Sequence, residues 1–292
     1  MKNRELVVER TQELLEFLYE KFPDINKKKM KKLLTSNRVI VDNKIISQYN
    51  YELKKKQKVR LDLNGKVEFL ERNKIKLLYE DSEIIVIDKP QGLLTIANDS
   101  EKDKTAYKII TDYVRLEDIR ARIFIVHRLD RDTSGIIVFS KNYKMKNFLQ
   151  DSWDKLVLER GYIAVVEGIL KKKEDKIITY LKENPKDYMV YSTNDQENGL
   201  KAITNYKVVC ANEIYSLLKV SLETGRKNQI RVHMYDIGHS IIGDKKYGSR
   251  RNPIKRLGLH AYRLVFIHPT SKKKMEFELD VPSKFVSLFR SE

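Results

Sequence analysis

The sequence predicts a two-domain α+β protein: a small α+β unit over residues 1–72, then a domain over 73–292 built on a mixed, largely antiparallel sheet with peripheral helices. Two observations carry this expectation. Helical stripes and short β-branched runs fill the first stretch, and from IKLLYEDSEIIVIDKPQGLL (Ile75 onward) the chain turns to β-rich runs separated by polar turns, with helical stretches such as 142–157 between them. A length of 292 residues suits one large domain plus a small one, at roughly 100–200 residues per domain.

Taken in order, TQELLEFLYEKF (from Thr11) places Leu14, Leu15, Leu18 and Phe22 at three- and four-residue spacing, a helix packed on a core. Pro23 ends it, and Asp24 to Asn26 offer capping side chains to a second helix. There Met30, Leu33 and Leu34 face inward while Lys27, Lys28, Lys31 and Lys32 crowd the other faces. RVIVDNKIIS, opened by Arg38, reads as two strands split at Asp42 and Asn43, and KVRLDL as a further strand. Asn64 and Gly65 suggest a turn, and the linker is expected around residues 68–75.

Charge bears on partners. The chain has 58 basic and 41 acidic residues, a net of +17, and residues 1–72 hold 18 basic against 11 acidic side chains. A polyanion is the leading partner, the alternative being a Lys-rich composition with solvated faces. One cysteine, Cys210, excludes an intrachain disulfide and suits a reducing compartment. No signal-peptide core and no apolar run long enough for a bilayer are apparent, so the expected location is cytoplasmic, with no membrane association.

The stretch IVHRLDRDTSGIIVFS (Ile125 to Ser140) sets a polar, Arg-rich loop between two apolar runs. Loops held on rigid strands concentrate catalytic side chains, and His127, Arg128, Asp130, Arg131, Asp132, Thr133 and Ser134 are the candidates. Composition does not choose among them. His127, His233, His239, His260 and His268 show no metal-ligand spacing and lie beside apolar strand runs, so they are read as structural. DKPQGLL lacks the glycines and Gly-Lys-Ser/Thr of a phosphate loop, and its Pro90 and Gly92 are expected to shape a turn supporting the catalytic loop.

HRLDRDTSG resembles the signature of RluA-type RNA pseudouridine synthases. Four further segments agree in order: DKPQGLL; RGYIAVVEG, like the family's tyrosine-bearing strand; TGRKNQIRVHM, like its arginine motif; and GDKKYG with LHAYRLVFIHP, like its closing strands. The likeness covers residues 76–282. The first unit, with its basic second helix running into RVIVDNKII, resembles the alpha-L RNA-binding module of a ribosomal protein and many RNA-modifying enzymes. Two departures stand out: Asn228 where the family more often has histidine, and Arg160 where lysine is usual. The lysine of GLKAITNY lies one place late, so Lys201 is given no role.

The resemblance implies isomerisation of uridine within RNA, with large-subunit ribosomal RNA or its precursor particle as the expected partner, no obligate protein partner, and no metal or cofactor. It implies Asp130 as the essential carboxylate, Arg231 as its cationic partner and Tyr162 at the proton-removal step. Arg128, Arg226, Ile230 and Thr133 are then expected to contact the substrate, and Lys27, Lys28, Lys31, Lys32 and Arg38 to hold RNA. Residues alone leave Arg231 open as a solvated strand arginine and Tyr162 as a core tyrosine. Two other readings compete. One is a non-catalytic RNA-binding or ribosome-assembly protein on the same scaffold. The other is a glycoside hydrolase or nucleosidase pairing Asp130 with Asp132, since such enzymes need two carboxylates about 5–10 Å apart.

Overall fold

A computed structural model describes residues 5–35, 38–42, 44–62, 65–98, 101 and 104–289. Asn43 and Asn64, each expected in a turn, lie outside the described residues. The chain divides into two compact units, Met1–Lys74 with Asp112–Ala121, and Ile75–Thr111 with Arg122–Glu292.

In the first unit β1 (Glu5–Val7), β2 (Gln12–Glu13), α1 (Leu14–Lys21) and α2 (Lys27–Thr35) precede β3 (Val39–Val41), β4 (Lys44–Ile45), β5 (Glu52–Leu53) and β6 (Lys58–Leu61). The four-stranded sheet runs in the order β1-β6-β3-β4, and β2 pairs with β5. Leu14, Phe17 and Leu18 of α1 and Met30, Leu33 and Leu34 of α2 form one core with Val39, Val41, Val59 and Leu61. Phe17, rather than Leu15, is fully buried, because the 3.6-residue period puts it beside Leu14 and Leu18. Asn26 caps α2 by accepting from the Lys29 amide at 2.8 Å.

Residues 68–72 of the expected linker are helical, in α3 (Lys66–Arg72), and the two units part between Lys74 and Ile75, inside the expected range. The buried Asp62 carboxylate accepts from the Lys66 and Val67 amides, both at 3.0 Å, which satisfies two of the amides a helix start leaves unpaired. The segment Asp112–Ala121 joins this unit from later in the sequence, which no continuous boundary near residue 72 anticipates. Within the unit Lys66 bridges to Glu117 at 2.9 Å and lies over the Tyr113 ring.

The second unit begins with β7 (Lys76–Glu80), β8 (Ile84–Lys89), α4 (Ala106–Arg115), whose last turn belongs to the first unit, β9 (Phe124–Ile125) and β10 (Ser134–Ser140). There follow α5 (Tyr143–Asp151), α6 (Trp153–Leu156), β11 (Val157–Glu167), β12 (Glu174–Glu183), β13 (Val190–Thr193), β14 (Leu200–Ala211) and β15 (Tyr215–Leu222). Next come α7 (Gln229–Asp236), β16 (Leu259–Ile267), β17 (Lys274–Glu278) and α8 (Ser283–Val286). One large sheet runs β13-β12-β14-β15-β11-β16-β10-β8-β7, with β9 on β10 and β17 on β16. Its described pairings are antiparallel except β10 with β16, so the sheet is mixed and largely antiparallel, with helices at its periphery.

That parallel pairing fixes where the loop before β10 stands. Gly135 adopts φ +120, and a Cβ there would meet the Ala261 carbonyl oxygen at 2.1 Å, so the close approach of β10 to β16 requires glycine. All of β10 is buried, as its apolar run anticipates. Two expectations fail locally. GDKKYG is not a strand but a single 3-10 turn, Lys245–Tyr247, which Asp244 caps through the Lys246 and Tyr247 amides. RKNQIRVHM enters a helix, so Arg231 and His233 sit in α7 rather than on or beside a strand.

Candidate active site

Val126 to Thr133 forms a loop anchored from both sides of the chain. Thr95 Oγ1 donates to the Leu129 carbonyl at 2.7 Å and accepts from its amide at 3.2 Å. Gly92 donates its amide to the Arg131 carbonyl at 3.0 Å, the support expected of DKPQGLL. The fully buried Lys89 ammonium donates to three carbonyls, those of Leu93 (2.7 Å), Pro90 and Arg131 (both 3.1 Å). Burial lowers its pKa to about 8, although Asp132 and Asp130 pull the other way. His127 accepts from the Val138 amide at 3.1 Å, and burial holds its pKa near 3, so it is a neutral, structural ring.

From this loop Asp130 reaches the Arg231 guanidinium on the first turn of α7, Oδ2 lying 3.3 Å from Nη1. Arg231 is in turn held by a carboxylate that the sequence motifs assign no role. Its Nε and Nη2 donate to Asp244 Oδ2 and Oδ1 at 2.7 and 2.8 Å, a two-pronged contact with a side chain only 1% exposed. Asn228 accepts a third bond from Nη1 at 3.0 Å, and Tyr247 lies under the guanidinium at 4.9 Å. Burial works against the charge on Arg231, and the Asp244 bond and charge, with Asp130, outweigh it and raise its pKa. The guanidinium is therefore a fixed positive charge presenting one edge to Asp130.

The entry to α7 depends on Gln229, 2% exposed. Its Oε1 accepts from Thr224 Oγ1 (2.8 Å) and the Arg226 amide (3.0 Å), and its Nε2 donates to the Ile203 carbonyl (3.0 Å) and Thr204 Oγ1 (2.9 Å). Asn228 takes up a left-handed conformation, φ 54, as the cap. An Asn tolerates that geometry better than most residues, and its amide donates to the Tyr247 hydroxyl at 3.0 Å.

Asp130, Arg128, Thr133, Tyr162, Arg226, Ile230 and Arg231 all line one cleft, together with Leu129 and Leu259. The seven candidate catalytic and substrate residues thus come together. Ile230 and Thr133 are buried, whereas Arg128 and Arg226 are exposed. Arg128 forms no hydrogen bond or ion pair among the described residues, while Arg226 Nε donates to the Lys201 carbonyl at 3.1 Å. Tyr162 stands in the middle of β11. Burial pushes its phenol up to about 12, Arg160 opposing and Asp130 adding to the shift, so at neutral pH it is a neutral phenol and not a phenolate.

Asp132 is exposed and is not part of the cleft wall, acting on Lys89 and Arg256 instead. Among the described residues no three metal-ligating side chains cluster. Lys27, Lys28, Lys31 and Lys32 belong to the first unit and are exposed on α2, and Arg38 follows that helix half-buried. Sequence reasoning misses Lys89, Gln229, Asp244 and Tyr247. The one signal for Asp244 in the sequence is an acidic residue in a glycine-flanked segment, and for Lys89 a lone charge closing an apolar strand.

Comparison with known proteins places the chain in a family. The family model described as RNA pseudouridylate synthase matches residues 83–236. An uncharacterized RNA pseudouridine synthase of Aquifex aeolicus is 32% identical, over 98% of this chain and 95% of that one. The ribosomal large subunit pseudouridine synthase D of Salmonella typhimurium is 29% identical over 95% of this chain and 89% of its own length. In structure, human RNA pseudouridylate synthase domain containing 4 superposes with a TM-score of 0.61 over 77% of this chain and 95% of its own, at 20% identity, a likeness of fold.

The Lys89 ammonium makes a pH prediction. Its folded pKa lies below the ordinary 10.5, so between pH about 8 and 10.5 the unfolded chain holds the extra proton and stability rises with pH. Denaturant titrations at the two ends of that window should show wild type gaining on Lys89→Met as pH rises. Parallel pH dependences would contradict the assignment.

Proposed function

The chain belongs to the RNA pseudouridylate synthase family, and from that premise we propose that Asp130 is the essential carboxylate converting uridines of large-subunit ribosomal RNA to pseudouridine. The observation that carries the reading is the Asp130 carboxylate on the cleft wall, 3.3 Å from a fixed guanidinium. Breaking the bond from the anomeric carbon to the uracil nitrogen develops positive charge on the sugar. An ionised carboxylate there stabilises that charge, attacks the carbon or removes a sugar proton, and each role requires the same placement. The freed uracil turns and rejoins the sugar through carbon 5. The proton on carbon 5 must then leave, and the neutral Tyr162 phenol on the cleft wall accepts it at its oxygen while its own hydroxyl proton passes to water.

A uridine stacked in RNA must first be flipped out, at a cost of about a few kcal/mol. Arg128, exposed at the cleft mouth and free of protein partners among the described residues, takes the place of the departed base or holds its phosphate. Ile230 packs against the uracil face, and Thr133 and Arg226 complete the substrate contacts. Ribosomal RNA as the substrate is supported by the name of the Salmonella relative, which matches nearly the whole chain, the first unit included. The exposed lysines of α2, with Arg38, supply phosphate contacts from that unit.

In release of tritium from 5-tritiated uridine in ribosomal RNA, Asp130→Asn should fall to background while Asp132→Asn keeps nearly full activity. Equal losses would revive a two-carboxylate hydrolase. Replacing Lys27, Lys28, Lys31 and Lys32 together by glutamine should flatten the fall of RNA affinity with salt, by about one unit of log–log slope for each phosphate no longer neutralised. An unchanged slope would remove α2 from the RNA interface.

A further inference from the structure

We propose that a groove opening from the active-site cleft is a subsite for a nucleotide flanking the target uridine, with Trp153 as the stacking platform and Arg160 and Arg226 as the phosphate clamp. The proposal rests on RNA being the substrate. The groove, about 390 Å³, shares Arg128, Tyr162, Leu222, Gly225 and Arg226 with the cleft, so a strand whose uridine enters the cleft continues into it without a break.

Trp153 is the chain's single tryptophan and is partly exposed on the groove wall. Its ring packs on His127 with centroids 4.8 Å apart and planes at 35°. Because His127 is itself pinned by the Val138 amide, the indole is backed by a rigid, uncharged surface. A rigid aromatic with accessible surface in a cationic groove is what sequence-tolerant base stacking requires.

Among the described residues the groove's arginines form no ion pair with a carboxylate, Asp154 acting on Arg160 only at longer range. Arg160 is half-buried and donates from Nη2 to the Glu223 carbonyl at 2.6 Å, Arg226 donates to a carbonyl, and Arg128 donates to nothing. Asp154 is the only carboxylate on the described groove lining and bridges to none of the three. By contrast Arg72, Arg131, Arg231 and Arg263 each meet a carboxylate. Burial weighs most against the charge on Arg160, the charge of Asp154 favours it, and that of Arg226 opposes it. A phosphate bound in this groove supplies the anionic acceptor that the planar guanidinium donors lack.

The lone tryptophan permits a direct test. The full chain is titrated with a short single-stranded RNA carrying a central uridine, and with ribosomal RNA, while tryptophan fluorescence and, separately, RNA anisotropy are followed. Fluorescence should quench in step with binding. Trp153→Ala should weaken binding by about tenfold, Trp153→Phe should restore most of it, and Arg160→Gln should weaken it and lower the salt slope by about one. Unquenched fluorescence at saturation, wild-type affinity in Trp153→Ala or Arg160→Gln, or no binding to either RNA would overturn the subsite. Pseudouridine formation is read separately in the same samples. Binding and quenching without pseudouridine would count against the catalytic reading and leave the subsite standing.

Discussion

The guanidinium of Arg231 is the constraint on which the rest of the site depends. A buried cation is tolerated only when its charge and its donors are met, and here Asp244 meets most of both through two short bonds. Asn228 and the Tyr247 ring take up what remains, so the side chain has one orientation. The edge left over is the one that faces Asp130, at the longer distance of 3.3 Å. Asp130 is thus oriented by a group whose own position is already determined, while its carboxylate stays 22% exposed toward the cleft where a substrate must reach it. A strong pair behind and a weaker one in front leaves the Asp130 carboxylate accessible from the cleft.

The scaffold serves that arrangement from two directions. The loop that bears Asp130 is held by Lys89, Thr95 and the Gly135 approach to Ala261, all set on or between neighbouring strands. The helix that bears Arg231 is held by Gln229, whose amide joins Thr224 and the Arg226 backbone to β14. Each anchor converts a sequence position far from its partner into a side chain aimed at a common point, which is why residues 101 positions apart meet across a hydrogen bond.

Much of this is legible in the amino-acid sequence. The apolar stripes of α1 and α2 mark their buried faces, and the alternation of polar loop and apolar run around Asp130 marks a loop on a core strand, because burial imposes those periodicities directly. The choice of Asp130, Tyr162 and Arg231 comes from ordered motifs, and the structure gathers them in one cleft. What stays hidden depends on contacts remote in sequence or on single capping bonds. Residues 68–72 of the expected linker are helical because Asp62 caps α3, and GDKKYG is a turn because Asp244 caps it on one side and holds Arg231 on the other. Arg231 itself falls on a helix because a buried glutamine closes the turn before it, and no periodicity over so short a segment reveals that. The segment Asp112–Ala121, grouped with the first unit, is a long-range partition that local pattern does not encode.

The most direct test is the catalytic rate of Asp244→Asn set beside its RNA affinity, with folding checked by thermal melting. Asp244 is 1% exposed, and among the described residues its carboxylate bonds to Arg231 and to the Lys246 and Tyr247 amides of the turn that it caps. If Arg231 is what orients Asp130, the variant forms pseudouridine at least about tenfold more slowly, a loss of roughly 1.4 kcal/mol in the transition state, with RNA binding unchanged. A folded Asp244→Asn protein that turns over at the wild-type rate would contradict the account.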